Sequence, residues 1–484
     1  MAEKETFYLT TTLPYVNAAP HVGFALEMVQ ADIVARYHAL IGEEVFFNTG
    51  TDEHGLKIHR KAIEVGITPQ AYADEYAAKF RTLKDELDLY PDVHFIRTTD
   101  PHHKAAAQEF WRRCFANGDI YKKDYTISYC VGCELEKTAS ELVDGRCPLH
   151  PNLDMEHIHE ENYFFRWSKY QPRLLEFYNA HPDFLLPDFR FNEIRRFVER
   201  GLEDFSISRL KEKMPWGIEV PNDPAHVMYV WFDALINYVS TLGWPEDVAT
   251  FEKFWGTISA PKAIQFAGKD QIRQQAAMWQ AMLMSAKLPP TKQILIHGFI
   301  TSGGQKMSKS LGNVIDPIVL IEEYGTDALR YFLARHVHPF EDSDFTIEKF
   351  REAYNADLAN GLGNFVARIM QLAQTHLGKS DLPRKSDLQL PQEFTAALEK
   401  FEINKAADFI WERIKLLDRQ ITDTQPFKVV KQNAEEGKAL IVGLIAELAH
   451  IAAMLEPILP ATSKKIIEAI AANKKPETLF PRKE

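Results

Sequence analysis

The chain has 484 residues, of which 45% are hydrophobic and 26% are charged, and its net charge is −12. This length allows two to four domains with substantial cores, and the composition is typical of a soluble globular protein. No run approaches about 18 consecutive apolar residues and no apolar targeting segment opens the chain, which argues against a membrane span and favours a cytoplasmic protein. The charge is uneven, because residues 361–484 carry 18 Lys and Arg against 16 Asp and Glu, a weak indication of a polyanion-binding region.

The first part of the chain alternates between strand and helix patterns. Strands are predicted at residues 6–12 and 44–48, and helices at residues 22–40, 69–87 and 103–117. This alternation predicts a doubly wound parallel sheet, which binds ligands at the carboxyl ends of its strands. Residues 14–23 and 50–55 follow two such ends.

Three of the four cysteines then fall within 18 residues. Cys130 and Cys133 form a C-x2-C pair, and Cys147 and His150 form a C-x2-H pair. Two such pairs predict a zinc knuckle with four protein ligands, which leaves no open position for catalysis and makes the zinc structural. Two alternatives to zinc are less favoured: a disulfide is rare in a reducing cytosol, and a redox-active C-x2-C pair does not need a second C-x2-H pair. A degenerate knuckle that binds no metal is an alternative that the sequence does not exclude. Cys114 lies in a helical pattern and is predicted to be a core residue.

The alternation breaks at about residue 118 and resumes at residue 263. Residues 118–225, rich in aromatics and prolines, are predicted to be an insertion. A strand at 263–267, a helix at 271–286 and a strand at 293–299 follow, and then the stretch Lys306-Met307-Ser308-Lys309-Ser310. From about residue 316 the chain is predicted to be all helical, with helices at 319–324, 327–334, 357–377, 394–422 and 439–459 and a loop at 378–391.

Two short motifs carry the first functional indication. Pro20-His21-Val22-Gly23 opens a predicted helix, whose N-terminus suits an anion. Lys306–Ser310 places two cations where they could neutralise charge during displacement at a phosphorus atom. Either motif alone could be a turn histidine or a solvated lysine-rich loop. Together, in this order, they resemble the signature of class I aminoacyl-tRNA synthetases.

Further stretches narrow the resemblance to the methionyl-tRNA synthetase family and cover nearly the whole chain. They are Leu13-Pro14-Tyr15-Val16-Asn17, Thr49-Gly50-Thr51-Asp52-Glu53-His54-Gly55, Tyr229-Val230-Trp231-Phe232-Asp233-Ala234, Gly268-Lys269-Asp270 and residues 306–312. The resemblance implies a class I Rossmann-type doubly wound parallel sheet with a zinc-knuckle insertion, followed by an all-α anticodon-binding bundle. It implies ATP-dependent ligation of L-methionine to initiator and elongator tRNA(Met) through methionyl-adenylate, with Mg²⁺ accompanying ATP.

The resemblance also implies roles for individual residues. The methionine site would consist of Leu13, Tyr15, Asp52, Trp231, Ala234, Tyr238, Gln275 and Trp279. The ATP site would consist of His21, Gly23, Phe24, Gly268, Asp270 and Lys309. The catalytic residues would be His21, Gly23, Lys306 and Lys309, and the anticodon would be read by Asn364, Arg368 and Phe427.

Several positions depart from the family pattern, among them Leu235, where some members carry proline. Phe24 stands where a second histidine is usual, and Gln275 where a histidine is frequent. Gln275 can still donate a hydrogen bond to a sulfur or a tyrosine oxygen. Phe427 replaces a stacking tryptophan, although phenylalanine also stacks on a base.

The domain boundaries implied are a Rossmann first half at 1–117, the connective insertion at 118–225, a Rossmann second half at 226–315, a stem-contact linker at 316–356 and the anticodon-binding domain at 357–484. The insertion is too short for a separate hydrolytic editing domain. The chain ends without an additional C-terminal domain, so a monomer is expected, with tRNA but not DNA as its nucleic-acid partner.

Two other functions are compatible with parts of the pattern. One is a class I synthetase for another amino acid, such as cysteine, or a related nucleotidyltransferase; the methionine-type stretches argue against it. The other is a tRNA-binding paralogue without catalytic activity, which only Phe24 and Gln275 support.

Overall fold

A computed structural model describes residues 4–133, 135–137, 141–307, 313–378 and 389–484. The described chain divides into two compact units. The first contains the residues up to Pro20 together with Glu43–Leu83 and Asp92–His297, and the second contains His21–Gly42, Lys84–Pro91 and Gly298–Glu484.

The strands and helices are as follows. The strands are β1 Thr6–Thr10, β2 Glu44–Thr51, β3 His94–Arg97, β4 Ile120–Cys130, β5 Leu135–Glu136, β6 Glu156–Phe165, β7 Leu185–Leu186, β8 Phe205–Ser206, β9 Ser208–Leu210, β10 Glu219–Val220, β11 Asp223–Met228, β12 Gly256–Thr257, β13 Ala260–Pro261, β14 Ile264–Gly268, β15 Gln293–His297, β16 Ile300–Ser302, β17 Gln305–Lys306 and β18 Ser343–Asp344. The helices are α1 Val22–Leu40, α2 Leu56–Glu64, α3 Pro69–Glu86, α4 Pro101–Ala116, α5 Gln171–Ala180, α6 Asp188–Glu199, α7 Val230–Ala234, α8 Asn237–Ser240, α9 Val248–Phe254, α10 Trp279–Ala286, α11 Pro317–Tyr324, α12 Thr326–Arg335, α13 Ile347–Ala353, α14 Asn364–His376, α15 Gln392–Glu399, α16 Ile403–Thr424, α17 Pro426–Gln432, α18 Ala434–Leu455 and α19 Pro460–Ala472. Short 3-10 helices cover Trp167–Tyr170 and Lys269–Gln271, and π-helical segments cover Gln274–Met278 and Tyr354–Gly363.

The first unit is organised around a six-stranded sheet in the order β3-β2-β1-β14-β15-β7, in which every pairing is parallel. All five residues of β14 are buried, as expected for a strand covered on both faces. The predicted doubly wound parallel sheet is confirmed. The edge strand β7 comes from the segment predicted to be the insertion, which also forms a four-stranded antiparallel sheet in the order β5-β4-β6-β8.

The second unit is mainly helical. Helix α18 is long and apolar enough to cross a membrane by composition alone. It packs against α14, α17 and α19, and it buries residues such as Leu444 and Leu448. These contacts identify α18 as the core helix of a bundle.

A buried ion pair holds α1 within this unit. Arg330 Nη2 on α12 lies 2.6 Å from Asp32 Oδ2 on α1, and both side chains are fully enclosed. Arg330 also donates to the carbonyl oxygens of Leu87, Pro457 and Ile458 at 2.9–3.1 Å. Asp32 accepts a second hydrogen bond from Arg36 Nε at 2.8 Å. One guanidinium therefore joins α1 to three other segments.

Several predicted elements need correction. The helix predicted at 394–422 is two helices, α15 and α16, because Phe401 between them has a φ of +58°. The helix predicted at 271–286 is a succession of 3-10, π and α segments. The region after residue 316 is not wholly helical, since β18 pairs with β16. Most of the loop predicted at 378–391 lies outside the described residues.

Candidate active site

The two signature motifs meet within the second unit. His21 is the N-cap of α1, and its Nδ1 accepts a hydrogen bond from the Gly23 backbone N–H at 3.0 Å. Because Nδ1 accepts, a neutral His21 carries its proton on Nε2, which is then the donor that an anion would meet. A Cβ on Gly23 would lie 2.8 Å from His21 Cε1 and 4.0 Å from Met307 Cε, so glycine is required there to seat the imidazole.

Phe24 packs against this histidine. The rings of His21 and Phe24 lie 4.5 Å apart between centroids at an angle of 33°. The backbone N–H of Val22 also donates to the Ile315 carbonyl at 3.0 Å, which fixes the segment following the lysine motif against the start of α1.

A tight hairpin leads into the lysine motif. Gly303 and Gly304 connect β16 to β17 with positive φ angles of 60° and 74°, as a two-residue hairpin turn requires. The Gly304 N–H donates to Asp344 Oδ1 at 2.8 Å. Lys306 is the last residue of β17, whereas the predicted catalytic Lys309 lies outside the described residues.

Within the first unit, two predicted ATP residues lie at the carboxyl end of β14. Gly268 ends β14, and a Cβ there would lie 2.8 Å from Asp270 Oδ1 and 3.6 Å from His297 Cε1. Gly268 and Asp270 are therefore in close contact, and their role in ATP binding stays a prediction. His297, at the end of β15, lies beside Gly268 and was not assigned by the sequence analysis.

The predicted methionine residues form one region of the same unit. Tyr15 and Asp52 form a parallel bridge, with the Asp52 N–H donating to the Pro14 carbonyl at 3.0 Å and the Val16 N–H to the Asp52 carbonyl at 3.1 Å. Tyr15 and Trp231 pack against the same small cluster of buried residues, Tyr129, Tyr229 and Val230. Leu13, Asp52 and Ala234 are also buried.

A second group of buried side chains completes this region. Gln275 Nε2 donates to Tyr238 Oη at 2.7 Å, which confirms one of the two acceptors predicted for Gln275. The rings of Tyr238 and Trp279 make an edge contact at 5.8 Å. Trp231 packs against the large core cluster that includes Tyr238 and Trp279, as well as against the smaller one. All eight predicted residues therefore lie in the first unit, and contacts of their side chains connect Tyr15, Trp231, Tyr238, Gln275 and Trp279 through the two buried clusters.

Some polar atoms here are buried without a hydrogen-bond partner among the described residues. They are Trp231 Nε1, Trp279 Nε1 and Gln275 Oε1. Because an unsatisfied buried polar atom is costly, such atoms indicate a place where a polar ligand or a water molecule binds.

The carboxylate of Asp233, on the same short helix as Trp231 and Ala234, is hydrogen-bonded to two histidines. Asp233 Oδ2 is 2.6 Å from His54 Nδ1 and Asp233 Oδ1 is 2.8 Å from His103 Nε2, and the three side chains are almost fully enclosed. His103 Nδ1 lies 2.9 Å from Ser240 Oγ. Burial raises the pKa of Asp233, but His54 and the hydrogen bonds from both imidazoles outweigh burial and lower it to about 2.

The predicted metal ligands converge on one point. The ligand atoms of Cys130, Cys133, Cys147 and His150 all lie within 4.8 Å of one another. Cys133 Sγ is 3.5 Å from Cys147 Sγ and 3.2 Å from His150 Nδ1. Zinc–sulfur bonds of about 2.3 Å would separate two tetrahedral thiolates by roughly 3.8 Å, so this donor set fits a zinc ion.

The local backbone explains how these ligands meet. A Cβ on Gly132 would lie 2.5 Å from the His150 ring, so glycine is required for the imidazole to approach. Val143 and Arg146 form an antiparallel bridge around Asp144 and Gly145, both with positive φ. This Asp-Gly turn brings the second ligand pair back to the first.

Comparison with known proteins agrees with this geometry. The family model for tRNA synthetases class I (M) matches residues 7–155 and 136–370. A methionine–tRNA ligase of Nostoc sp. is 41% identical over 97% of this chain and 90% of its own length, and one of Thermotoga maritima is 39% identical over 97% and 76%. The structure of Mycobacterium tuberculosis methionyl-tRNA synthetase in complex with methionyl-adenylate superposes with a TM-score of 0.87, 34% identity and 99% coverage of both chains. The chain belongs to the methionine-type class I tRNA synthetases.

The residues that the family resemblance assigns to the anticodon lie on exposed helix faces of the second unit. Asn364 and Arg368 are both exposed on α14, one helical turn apart, and Phe427 on α17 is 41% exposed. Arg368 forms an ion pair with Asp418 on α16. Both α14 and α17 pack against α18.

Four polar residues that lie close to the predicted site residues have no counterpart among the sequence predictions. They are His54, His103, Asp233 and His297, whose contacts are described above. His54 and Asp233 lie inside two of the stretches that carry the family resemblance, so their position next to Asp52 and Trp231 was a usable signal. The hydrogen bond from His103 to Asp233 spans 130 residues and has no local pattern.

Proposed function

We propose that the protein is an ATP-dependent methionine–tRNA ligase that acts on initiator and elongator tRNA(Met) through methionyl-adenylate. The observation that carries the proposal is the grouping of Tyr15, Asp52, Trp231, Tyr238 and Trp279 in one unit of a chain from this family. A flexible thioether packs well against aromatic faces, and a buried carboxylate suits an ammonium group.

The first step forms the adenylate. A carboxylate oxygen of methionine attacks the α-phosphorus of ATP, the new oxygen–phosphorus bond forms, and pyrophosphate leaves with the electrons of the broken bond. Asp52 holds the ammonium group, and the aromatic residues with Leu13 and Ala234 enclose the side chain. Positioning accounts for much of the rate acceleration, because binding both reactants side by side converts a bimolecular reaction into an effectively unimolecular one.

Other residues serve the phosphates and the nucleoside. His21 Nε2 donates to a phosphate oxygen at the positive end of α1, where Gly23 and Phe24 hold the imidazole in place. Lys306 and Lys309 stabilise the charge that develops on the leaving pyrophosphate. Gly268 and Asp270 contact the nucleoside. Mg²⁺ bound to ATP would screen the phosphate charges.

The second step transfers the aminoacyl group. A ribose hydroxyl of the 3′-terminal adenosine attacks the carbonyl carbon of methionyl-adenylate and forms an ester bond. The bond from that carbon to the phosphate oxygen breaks, AMP leaves with its electrons, and the hydroxyl proton is released. Asn364 and Arg368 donate to unstacked anticodon bases and Phe427 stacks on one of them.

The remaining assignments complete the proposal. Zinc is held by Cys130, Cys133, Cys147 and His150 and stabilises the knuckle without taking part in the reaction. The enzyme is monomeric and cytoplasmic and binds neither membranes nor DNA. The five domains of the sequence analysis are part of this proposal, although the compact units divide the chain differently.

Charging of tRNA tests this proposal. Purified protein with ATP and Mg²⁺ is expected to attach labelled methionine to a tRNA with a CAU anticodon. A matched transcript with a different anticodon is expected to be charged poorly. Absence of methionyl-tRNA from a folded preparation that forms methionyl-adenylate would contradict the second step but not the first.

A further inference from the structure

The enclosed carboxylate of Asp233 has no place in the chemistry described so far. It is fully buried, and its two oxygens are each bonded to a different histidine. A group so enclosed does not touch a substrate. Its influence on the reaction must therefore pass through the elements that it connects.

Those elements carry the proposed methionine site. His54 follows Asp52 by two residues, and Asp233 lies in α7 between Trp231 and Ala234. His103 lies on α4 and bonds through its other nitrogen to Ser240 at the end of α8, the helix that carries Tyr238. One continuous chain of hydrogen bonds thus joins the segments that hold Asp52, Trp231 and Tyr238.

We propose that Asp233 is a positioning residue for methionine specificity, which fixes the α7 turn against the Asp52 segment and α8 through His54 and His103. The inference rests on the proposed methionine site. Trp231 and Ala234 belong to a helix of only five residues, and a helix so short has little intrinsic stability to hold them. The two short hydrogen bonds supply the fixed position that the short helix lacks.

The presence of an aspartate at position 233, rather than an apolar residue, supports a positioning role and not simple filling of the core. A buried carboxylate is costly unless it is fully bonded, and an apolar side chain of similar size fills a core with less penalty. The bonds of Asp233 are directional and reach two elements at once, which an apolar contact does not provide. Small displacements of pocket walls are sufficient to weaken selection of one side chain over another.

Amino-acid-dependent pyrophosphate exchange measures the KM for methionine, which would not change if Asp233 had a purely structural role. Asp233→Asn keeps the shape, but its amide cannot accept from both imidazoles. We expect the KM for methionine to rise about ten- to hundredfold, as for loss of a strong hydrogen bond, with the KM for ATP nearly unchanged. The preference for methionine over norleucine, which replaces the sulfur with a methylene, is expected to fall.

Asp119 provides a matched control. It is also fully buried, and it accepts from Tyr170, Lys169 and Ser285 at 2.5–2.8 Å. Asp119→Asn is expected to lower the melting temperature but to leave the KM for methionine unchanged. If Asp233→Asn and Asp119→Asn behave alike in both measurements, Asp233 is only structural and the proposal is wrong.

Two further variants keep the outcome decisive. If Asp233→Asn does not fold, His103→Gln and His103→Ala are compared. Glutamine retains a hydrogen-bond donor for Asp233, so His103→Gln is expected to keep a methionine KM closer to that of the wild type than His103→Ala does. Equal KM values for these two folded variants would overturn the proposal. Trp231→Ala tests the methionine site itself. An unchanged methionine KM in Trp231→Ala would show that the methionine pocket is misplaced. A raised methionine KM in Trp231→Ala together with a wild-type KM in Asp233→Asn would refute only the positioning role of Asp233.

Discussion

Gln275 lies in a π-helical turn and donates a hydrogen bond from Nε2 to Tyr238 Oη at 2.7 Å. The sequence indicates that an amide at this position still offers a donor, and the structure confirms the bond from Nε2 to Tyr238 Oη. The sequence does not show that Gln275 lies in a π-helical turn, which apolar periodicity cannot distinguish from an α-helix. It also gives no signal for the contact between Asp233 and His103, which only folding brings together.

Replacing Gln275 with leucine is expected to weaken methionine binding. The change removes the hydrogen bond to Tyr238, which contributes about 1 kcal/mol, so the methionine KM in pyrophosphate exchange should rise roughly fivefold. Gln275→His is the matched control, because a histidine can supply a donor and should keep KM near the wild-type value. Identical kinetics of the leucine variant and the wild type would show that Tyr238 does not need this bond.

Elements with clear end signals were predicted well. Helix α1 begins and ends where the sequence predicts, since His21 caps its start and Gly42 follows its end with a φ of +99°. The sequence does not predict the break between α15 and α16, because the break contains neither glycine nor proline, and Phe401 adopts a positive φ that is rare for an aromatic residue. The strand β18 has only two residues and leaves no periodic pattern.

The zinc knuckle provides a test at the scale of one element. Cys133→Ser removes one of four converging ligands, so elemental analysis is expected to show about one zinc per wild-type chain and much less in the variant. Faster proteolysis within residues 118–165 should accompany the loss, because metal binding stabilises this segment. Cys114→Ala, which changes a buried core cysteine on α4, should retain its zinc. Active wild-type protein without zinc would contradict the assignment.

Arg330 tests how α1 is held. Arg330→Met leaves the buried Asp32 carboxylate without one of its two guanidinium partners, and breaking a buried pair costs about 3–5 kcal/mol. We therefore expect a markedly lower midpoint in urea unfolding. Arg419→Met, on an exposed arginine, should change stability by no more than about 0.5 kcal/mol. Equal effects of the two substitutions would show that the buried pair adds no stability.

At the scale of the molecule, the architecture was more predictable than its internal boundaries. The parallel sheet followed from alternating patterns and the helical C-terminal region from periodicity, and both are observed. The two compact units do not follow simple cuts in the sequence, since α1 belongs with the C-terminal helices. Within this unit the hydrogen bond from Arg330 to Asp32 joins α12 to α1 across 298 positions of the sequence.

The two activities of the enzyme should separate in a variant of the C-terminal helices. Arg368→Ala is expected to reduce kcat/KM for charging a CAU tRNA by about ten- to hundredfold, as loss of base readout does. Methionine-dependent exchange should stay close to wild type. The ion pair with Asp418 is exposed and contributes little to stability, so the variant should fold. Asp418→Asn removes that partner but keeps the guanidinium, and should charge tRNA well. Equal loss of both activities in folded Arg368→Ala protein would contradict anticodon reading by this residue.

Amino-acid-dependent pyrophosphate exchange by the wild-type protein tests the central claim most directly. Each of the standard amino acids is supplied separately with ATP, Mg²⁺ and labelled pyrophosphate, and the rate of label entry into ATP is measured. We expect exchange with methionine and rates near background with the others, including cysteine and isoleucine. Exchange driven mainly by another amino acid would contradict the methionine site, and no exchange from folded, zinc-loaded protein would contradict the assignment as a ligase.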